Sequence, residues 1–260
     1  MDARNSQGKP LSSNDWLEDH HFAKYEIREK FARTLMALKP STIVDIGCGS
    51  GLWLQLLDKV TNDEVNYIGI DCDQSSLDLA QFKLGKSLTA MCEHIESALI
   101  PTSDMCLAFN ILPYIDNVDL LIHKVYESLP SGGVFVVRQY DGASLRFGPM
   151  VEDDRLSIEE SLYSSISSSK QIHHYDMDRV FEALNKSKFE NVSYNFETTS
   201  WCSPYSNETE SYIRNMLNWT YSLVNDRSKM TINKWLDRHI DQKKRSYFYE
   251  VDLVSIATKS

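Results

Sequence analysis

The stretch Val44-Asp45-Ile46-Gly47-Cys48-Gly49-Ser50-Gly51 carries the clearest chemical pattern in this chain of 260 residues. Closely spaced glycines let the backbone take unusual angles and let a ligand approach the main chain. The run follows a strand-like segment and opens a helical one, the context a ligand-binding loop requires. A dinucleotide fingerprint reads G-x-G-x-x-G. This loop reads G-x-G-x-G, with an acid two residues before the first glycine. A pyrophosphate needs helix amides and no nearby carboxylate, so Asp45 repels a phosphate and suits a cation. Asp71 ends the next apolar run, twenty residues beyond Gly51. An acid there suits the two hydroxyls of a ribose.

These residues need elements to hold them. Trp16 to Leu38 places Phe22, Ile27, Phe31, Leu35 and Leu38 at helical steps, predicting one or two amphipathic helices that Lys39-Pro40 ends. The pattern then alternates between strands at Thr42–Ile46, Tyr67–Ile70, Leu88–Cys92, Met105–Leu112 and Val134–Arg138 and helices at Gly51–Val60, Gln74–Leu84 and Val118–Leu129. Such alternation predicts an α/β fold with a parallel sheet covered on both faces. Ser157–Lys170 is serine-rich and reads as a loop or marginal helix, and Met177–Leu184 as a short helix. Val192–Phe196 and Tyr247–Ile256 read as closing strands, with two helical patterns between them.

Composition narrows the class. With 27 Lys+Arg against 37 Asp+Glu the net charge is −10, which argues against a broad nucleic-acid surface. No apolar run approaches the ~18 residues of a membrane helix, and residues 1–15 have no signal-peptide character. The five cysteines are odd in number and lack C-x2-C spacing. They read as reduced thiols of a cytoplasmic protein, and no metal site is expected.

The ordered motifs resemble those of class I S-adenosylmethionine (SAM) dependent methyltransferases acting on small molecules. Asp45 to Gly51 resembles the family's D-x-G-x-G-x-G motif, and Ile70-Asp71-Cys72-Asp73 its ribose-binding strand end. Glu96-Ser97-Ala98-Leu99-Ile100-Pro101 resembles the D-A-x-x-L-P segment that contacts adenine, with Glu96 in place of the usual Asp. Asp104 to Asn110 resembles the fourth motif. Leu129-Pro130-Ser131-Gly132-Gly133 resembles the L-x-P-G-G turn, its proline shifted by one. The resemblance implies SAM as cofactor, bound by Asp45, Gly47, Cys48, Gly49, Gly51, Asp71, Cys72, Glu96, Ser97 and Asn110. It also implies a Rossmann-like, doubly wound, mostly parallel sheet of seven strands with an antiparallel last strand. Residues 1–40 would form a helical lid, 41–199 with 247–260 the SAM-binding domain, and 200–246 a helical cap.

Methyl transfer needs water excluded and a nucleophile aimed, so positioning supplies much of the rate. An amine must arrive neutral, whereas a hydroxyl needs a base. Candidate catalytic residues are His20, His21, Tyr25, His173, His174 and Asp141. Trp16, Tyr25, Tyr114, Tyr140 and Trp201 fall where a substrate mouth is expected, favouring an aromatic or flat metabolite as methyl acceptor at O or N. Asn110-Ile111-Leu112-Pro113-Tyr114 lies where amino-methylases of DNA and glutamine carry [DN]-P-P-[YF], but its spacing is one residue too long and one proline is missing. The remaining alternatives are an NAD-dependent oxidoreductase, disfavoured by the glycine spacing, and a SAM-binding sensor or scaffold without catalysis. The chain is expected to work as a monomer or homodimer, and the late insertion could serve as a dimerisation element instead of a cap.

Overall fold

The computed structural model describes residues 13–142, 144–168 and 177–260. Two helices come first, α1 (Asn14–Ala23) and α2 (Tyr25–Met36). Ser13 caps α1 by accepting the Trp16 N–H. There follow β1 (Thr42–Ile46), α3 (Leu52–Val60), β2 (Asn66–Asp71), α4 (Gln74–Leu84), β3 (Leu88–Cys92), β4 (Met105–Phe109), α5 (Val118–Ser128) and β5 (Val134–Tyr140). The later half holds β6 (Arg146–Gly148), α6 (Glu152–Ser168), α7 (Met177–Lys186), β7 (Asn191–Cys202), α8 (Asn207–Leu223), α9 (Asp226–Leu236) and β8 (Tyr247–Thr258).

The strands form one sheet in the order β3-β2-β1-β4-β5-β8-β6, with β7 paired to the other edge of β8. β1 to β5 are mutually parallel, and β8 runs antiparallel to β5. The expected mostly parallel sheet with an antiparallel last strand is therefore present. Three-residue β6 is an eighth strand the sequence pattern did not reveal.

Side-chain alternation explains why this sheet is covered on both faces. In β4, Cys106 and Ala108 join the core under α5 and α7, while Met105, Leu107 and Phe109 join the core under α2, α3 and α4. Phe135 and Val137 of β5 likewise face one layer and Val136 the other. The chain runs outward from β1 through β2 to β3, then returns to β4 on the other side of β1. That reversal opens a crevice beyond the carboxyl ends of β1 and β4, the usual ligand position in open α/β sheets.

A third core joins Phe147 and Phe248 to α6, α8 and α9. The serine-rich segment, read as a loop or marginal helix, forms α6. Ile158, Leu162 and Ile166 recur at four-residue steps and are all buried, and Glu152, Asp153 and Asp154 favour its first turn. The strands around the insertion end at Cys202 and restart at Tyr247, so β7 reaches beyond the expected Phe196.

Candidate active site

The glycine loop leaves β1 with its backbone fixed from below. The N–H groups of Gly47 and Cys48 donate to the Ile70 carbonyl at 2.7 and 3.2 Å. Gly47 and Gly49 have φ of +71° and +51°, angles that disfavour residues with a Cβ. Gly51 also lies against Ala80 of α4, where an added Cβ would come within 2.9 Å of the alanine methyl.

Asp71 lies across from this loop. One carboxylate oxygen accepts the Gly49 N–H at 2.8 Å, and the other accepts the Asp73 N–H at 2.9 Å. Each oxygen keeps a lone pair for a further donor. Burial raises the Asp71 carboxyl above its usual range, opposed by these backbone bonds. Asp73 caps α4 through the Ser75 and Ser76 N–H groups. Beyond β3, Lys124 of α5 donates to the carbonyls of Glu96 and Ala98 at 2.7 and 3.1 Å, pinning that loop against the fold. Beyond β4, Asn110 takes a φ of 56°, and its side-chain oxygen accepts the Tyr140 N–H at 2.8 Å. Arg179 of α7 holds the next turn, donating to the Ile115 and Asp116 carbonyls at 2.5 and 2.6 Å.

These strand ends surround a cleft with about 1140 Å³ of open space, including its mouth. Asp71, Asp73, Glu93 and Glu96 line it, and among the described residues no lysine or arginine does. Helix α1 lies over the cleft with Trp16, Leu17 and His20 in its wall. Asn14 accepts from Ser76 of α4 at 3.2 Å, and Glu18 pairs with Lys83 at 3.1 Å. On its other side Asp19 accepts from Ser211 and Asn215 of α8 at 2.6 and 3.0 Å. The insertion therefore holds α1 from behind. Tyr212 of α8 stacks on His20 with centroids 5.0 Å apart, and Trp219 meets the Tyr140 ring edge-on at 6.3 Å. The cap of α8 is Ser206, accepting from the Thr209 N–H, so Asn207 is the first helical residue.

Beneath α1 lies a buried ionic network. Lys24, at the joint of α1 and α2, pairs with Glu250 and Asp252 of β8. Arg138 of β5 pairs with Asp252 at 2.6 Å and with Glu197. Burial pulls Lys24 down to about 8 despite the Asp252 carboxylate. Burial, reinforced by Lys24, Arg28 and Arg138, holds the His20 imidazole well below its usual value.

The cleft brings together Gly47, Gly49, Asp71, Cys72, Glu96, Asn110, Trp16, Tyr114, Tyr140 and His20. Other expected site residues stand elsewhere. Asp45 is buried in β1 beneath the loop, where burial and then the Asp71 charge push its carboxyl up to about 8. The Cys48 thiol packs against Gly69, where an added Cβ would lie 2.7 Å from its sulfur. Gly51 begins α3. The Ser97 hydroxyl donates to the His94 carbonyl at 3.0 Å.

Four expected catalytic or mouth residues lie outside the cleft wall because they are held in packing. His21 Nδ1 is 2.9 Å from Arg28 Nη1, and its ring meets Trp53 edge-on. The Tyr25 hydroxyl accepts from Lys59 at 2.8 Å. Trp201 packs on Tyr212 and Phe248. Asp141 is buried and accepts from the Ser144 hydroxyl. His173 and His174 lie outside the described residues. Sequence reasoning missed His94 and Gln139 in the wall. His94 lies two residues beyond β3 and Gln139 is the penultimate residue of β5, and that closeness to a carboxyl strand end was the available signal.

Residues 20–257 match the family described as methyltransferase domain. The chain belongs to this methyltransferase family. Carboxy-S-adenosyl-L-methionine synthase of Trichodesmium erythraeum (strain IMS101) is 27% identical over 109 residues, covering 39% of this chain. The chain spans only 43% of that relative's length. The plantazolicin methyltransferase BpumL, solved with a monoazolic desmethylPZN analogue and SAH, aligns with TM-score 0.53 at 19% identity, over 95% of this chain and 88% of that one. YcgJ of Bacillus subtilis aligns with TM-score 0.52 at 13% identity, over 88% and 98%. At these identities the likeness is one of fold.

The cleft fits the cofactor this family implies. SAM carries a sulfonium cation and a ribose, and the wall offers carboxylates with no lysine or arginine among the described residues. Asp71 retains acceptor capacity for a diol, and the glycine backbone leaves room: an added Cβ on Gly49 would meet only Leu17, at 3.6 Å. A dinucleotide pyrophosphate would face those same carboxylates.

Proposed function

We propose that the chain is a SAM-dependent methyltransferase that modifies a small, flat acceptor at O or N, held beneath α1. The observation that carries this reading is Asp71, joined to the Gly49 amide in a cleft walled by acids and free of lysine and arginine among the described residues. When bound, SAM supplies a methyl group on a positively charged sulfur, ready for in-line displacement. Gly47 and Gly49 would give SAM close backbone approach, Asp71 would hold its ribose hydroxyls, and the loop pinned by Lys124 is the segment available to its adenine. The BpumL structure, of like fold, holds SAH, which supports the same occupant here.

The chain's remaining work is to exclude water and aim the acceptor. Trp16, Leu17, Tyr114 and Tyr140 give that part of the wall an apolar, aromatic character, suited to a flat metabolite more than to a polymer. Helices α1 and α2 serve as the lid, and the insertion as the brace that sets its angle. Titration calorimetry with SAH and NAD, followed by turnover of methyl-labelled SAM over a metabolite panel, tests this. SAH should bind and NAD should not. Tighter binding of NAD, or SAH binding with no transfer to any metabolite, would overturn the enzymatic reading.

A further inference from the structure

In the cleft wall, His20 Nε2, Gln139 Oε1 and the Tyr140 hydroxyl are buried polar atoms without hydrogen-bond partners among the described residues. Buried polar atoms are nearly always satisfied, and leaving one unsatisfied is costly. Three in one wall therefore point to a polar partner that enters with the ligand. None belongs to the glycine loop or to the Asp71 strand end. They come instead from α1 and the end of β5, on the side where the acceptor must lie.

Their chemistry is specific. The Gln139 amide nitrogen donates to the Tyr140 carbonyl at 2.9 Å, which assigns the oxygen as the unpartnered end. That oxygen can only accept. With its proton on Nδ1, His20 presents Nε2 as a second acceptor. Tyr140 can do either. Two acceptors call for a ligand group with two hydrogens. A hydroxyl has one; a neutral primary amine has two and keeps a lone pair between them.

We infer that the methyl acceptor is a primary amine on a flat apolar skeleton, its two N–H hydrogens held by Gln139 Oε1 and His20 Nε2 so that the nitrogen lone pair faces the methyl group. This rests on the methyltransferase reading above and decides between its O and N branches. The lone pair forms the N–C bond as the methyl–sulfur bond breaks. Positive charge passes from sulfur to nitrogen, and the ammonium product gives its extra proton to water on release. Gln139 and His20 orient; neither takes the proton. The cations around His20 suit that role. Burial, and after it Lys24, Arg28 and Arg138, keep the imidazole unprotonated and make it a weak base, unsuited to drawing a proton from an alcohol.

Matched pairs test the inference: benzylamine with benzyl alcohol, 2-phenylethylamine with 2-phenylethanol, and tryptamine with tryptophol. Each is incubated with methyl-labelled SAM and the products identified by mass spectrometry. N-methyl products are expected from amines, with no O-methyl product from the alcohols. Gln139→Leu should lower kcat/KM for the amine about tenfold or more, with SAH affinity unchanged by calorimetry as the check on folding. Gln139→Glu, still an acceptor, should retain more activity than Gln139→Leu. Methylation of an alcohol at or above the rate of its paired amine would overturn the inference. So would a chain that binds SAH yet methylates no amine of the set, or a Gln139→Leu chain with unchanged amine kcat/KM. Failure of the unaltered chain to bind SAH is a separate result that removes the methyltransferase reading itself.

Discussion

The Asp71 carboxylate accepts the Gly49 N–H at 2.8 Å, so the acid ending β2 and the glycine loop after β1 form one unit. A change at Asp71 therefore acts twice, on the ligand hydroxyls and on the loop. Asp71→Ala should weaken SAH binding by about 10- to 150-fold, the range for a lost hydrogen bond to a charged group of about 1.5–3 kcal/mol. Asp71→Asn keeps one oxygen for Gly49 and should lose less. Calorimetry on both variants checks the order; equal losses would mean the loop contact contributes nothing.

Gly47 and Gly49 should separate stability from binding. Both have positive φ, which costs a Cβ-bearing residue about 1–2 kcal/mol. At Gly47 an added Cβ also lies 2.7 Å from the Ile111 side chain, whereas at Gly49 the nearest atom is 3.6 Å away. Gly47→Ala should lower the unfolding midpoint more than Gly49→Ala does. Gly49→Val should fold and lose SAH binding, because the branched side chain occupies the cleft. Denaturation and calorimetry on the three variants read the two effects apart.

Much of this was legible in the chain itself, for a physical reason. β1, β2, β4 and β5 are short and largely buried, and their apolar runs sit between turn residues, so periodicity marks them, whereas the edge strand β3 buries only Leu88 and is marked more weakly. The loop acid, the glycines and Asp71 follow from chain order alone, because they lie at the ends of consecutive strands. Residues whose role depends on packing were not legible. His20 and His21 are neighbours in sequence, yet a helix turns successive residues by ~100°. One therefore reaches the cleft wall, while the other meets Arg28 and Trp53. The Trp201 position is likewise set by strand pairing with β8, which local pattern does not encode.

Acid should destabilise the fold through its buried histidines. Burial, then Arg28, pulls His21 down from 6.5 to about 3, and His20 lies well below 6.5 as well. The unfolded chain takes up these protons as pH falls below 6.5, and the folded chain does not. Their contribution to stability is thus complete above pH 6.5 and is lost as pH falls toward about 3. The slope approaches about 1.4 kcal/mol per pH unit for each imidazole. Urea midpoints at pH 7, 6 and 5 should fall steadily. His21→Phe should flatten the fall, and an unchanged slope would place the acid sensitivity in other groups.

Lys24 should matter more to the lid than any other single residue. It sits where α1 meets α2, is buried, and reaches both Glu250 and Asp252 of the antiparallel strand β8. Lys24→Met keeps the length of the side chain but strands the buried Glu250 carboxylate and leaves Asp252 to Arg138 alone, and breaking a buried pair on one side costs about 3–5 kcal/mol. Tyr212→Phe removes one neutral donor from Glu250 while leaving Lys24 in place, and should cost about 1.5–3 kcal/mol. Glu250→Gln placed on Lys24→Met removes the stranded charge and should restore part of the loss. Because α1 carries Trp16, Leu17 and His20 over the cleft, Lys24→Met should also speed proteolysis near the N-terminus, while Tyr212→Phe leaves it closer to wild type. Chemical denaturation with limited proteolysis on the three proteins checks the order. If Tyr212→Phe is the more damaging, the aromatic stack on His20 and its hydroxyl, not the Lys24 ion pair, hold the lid to the sheet.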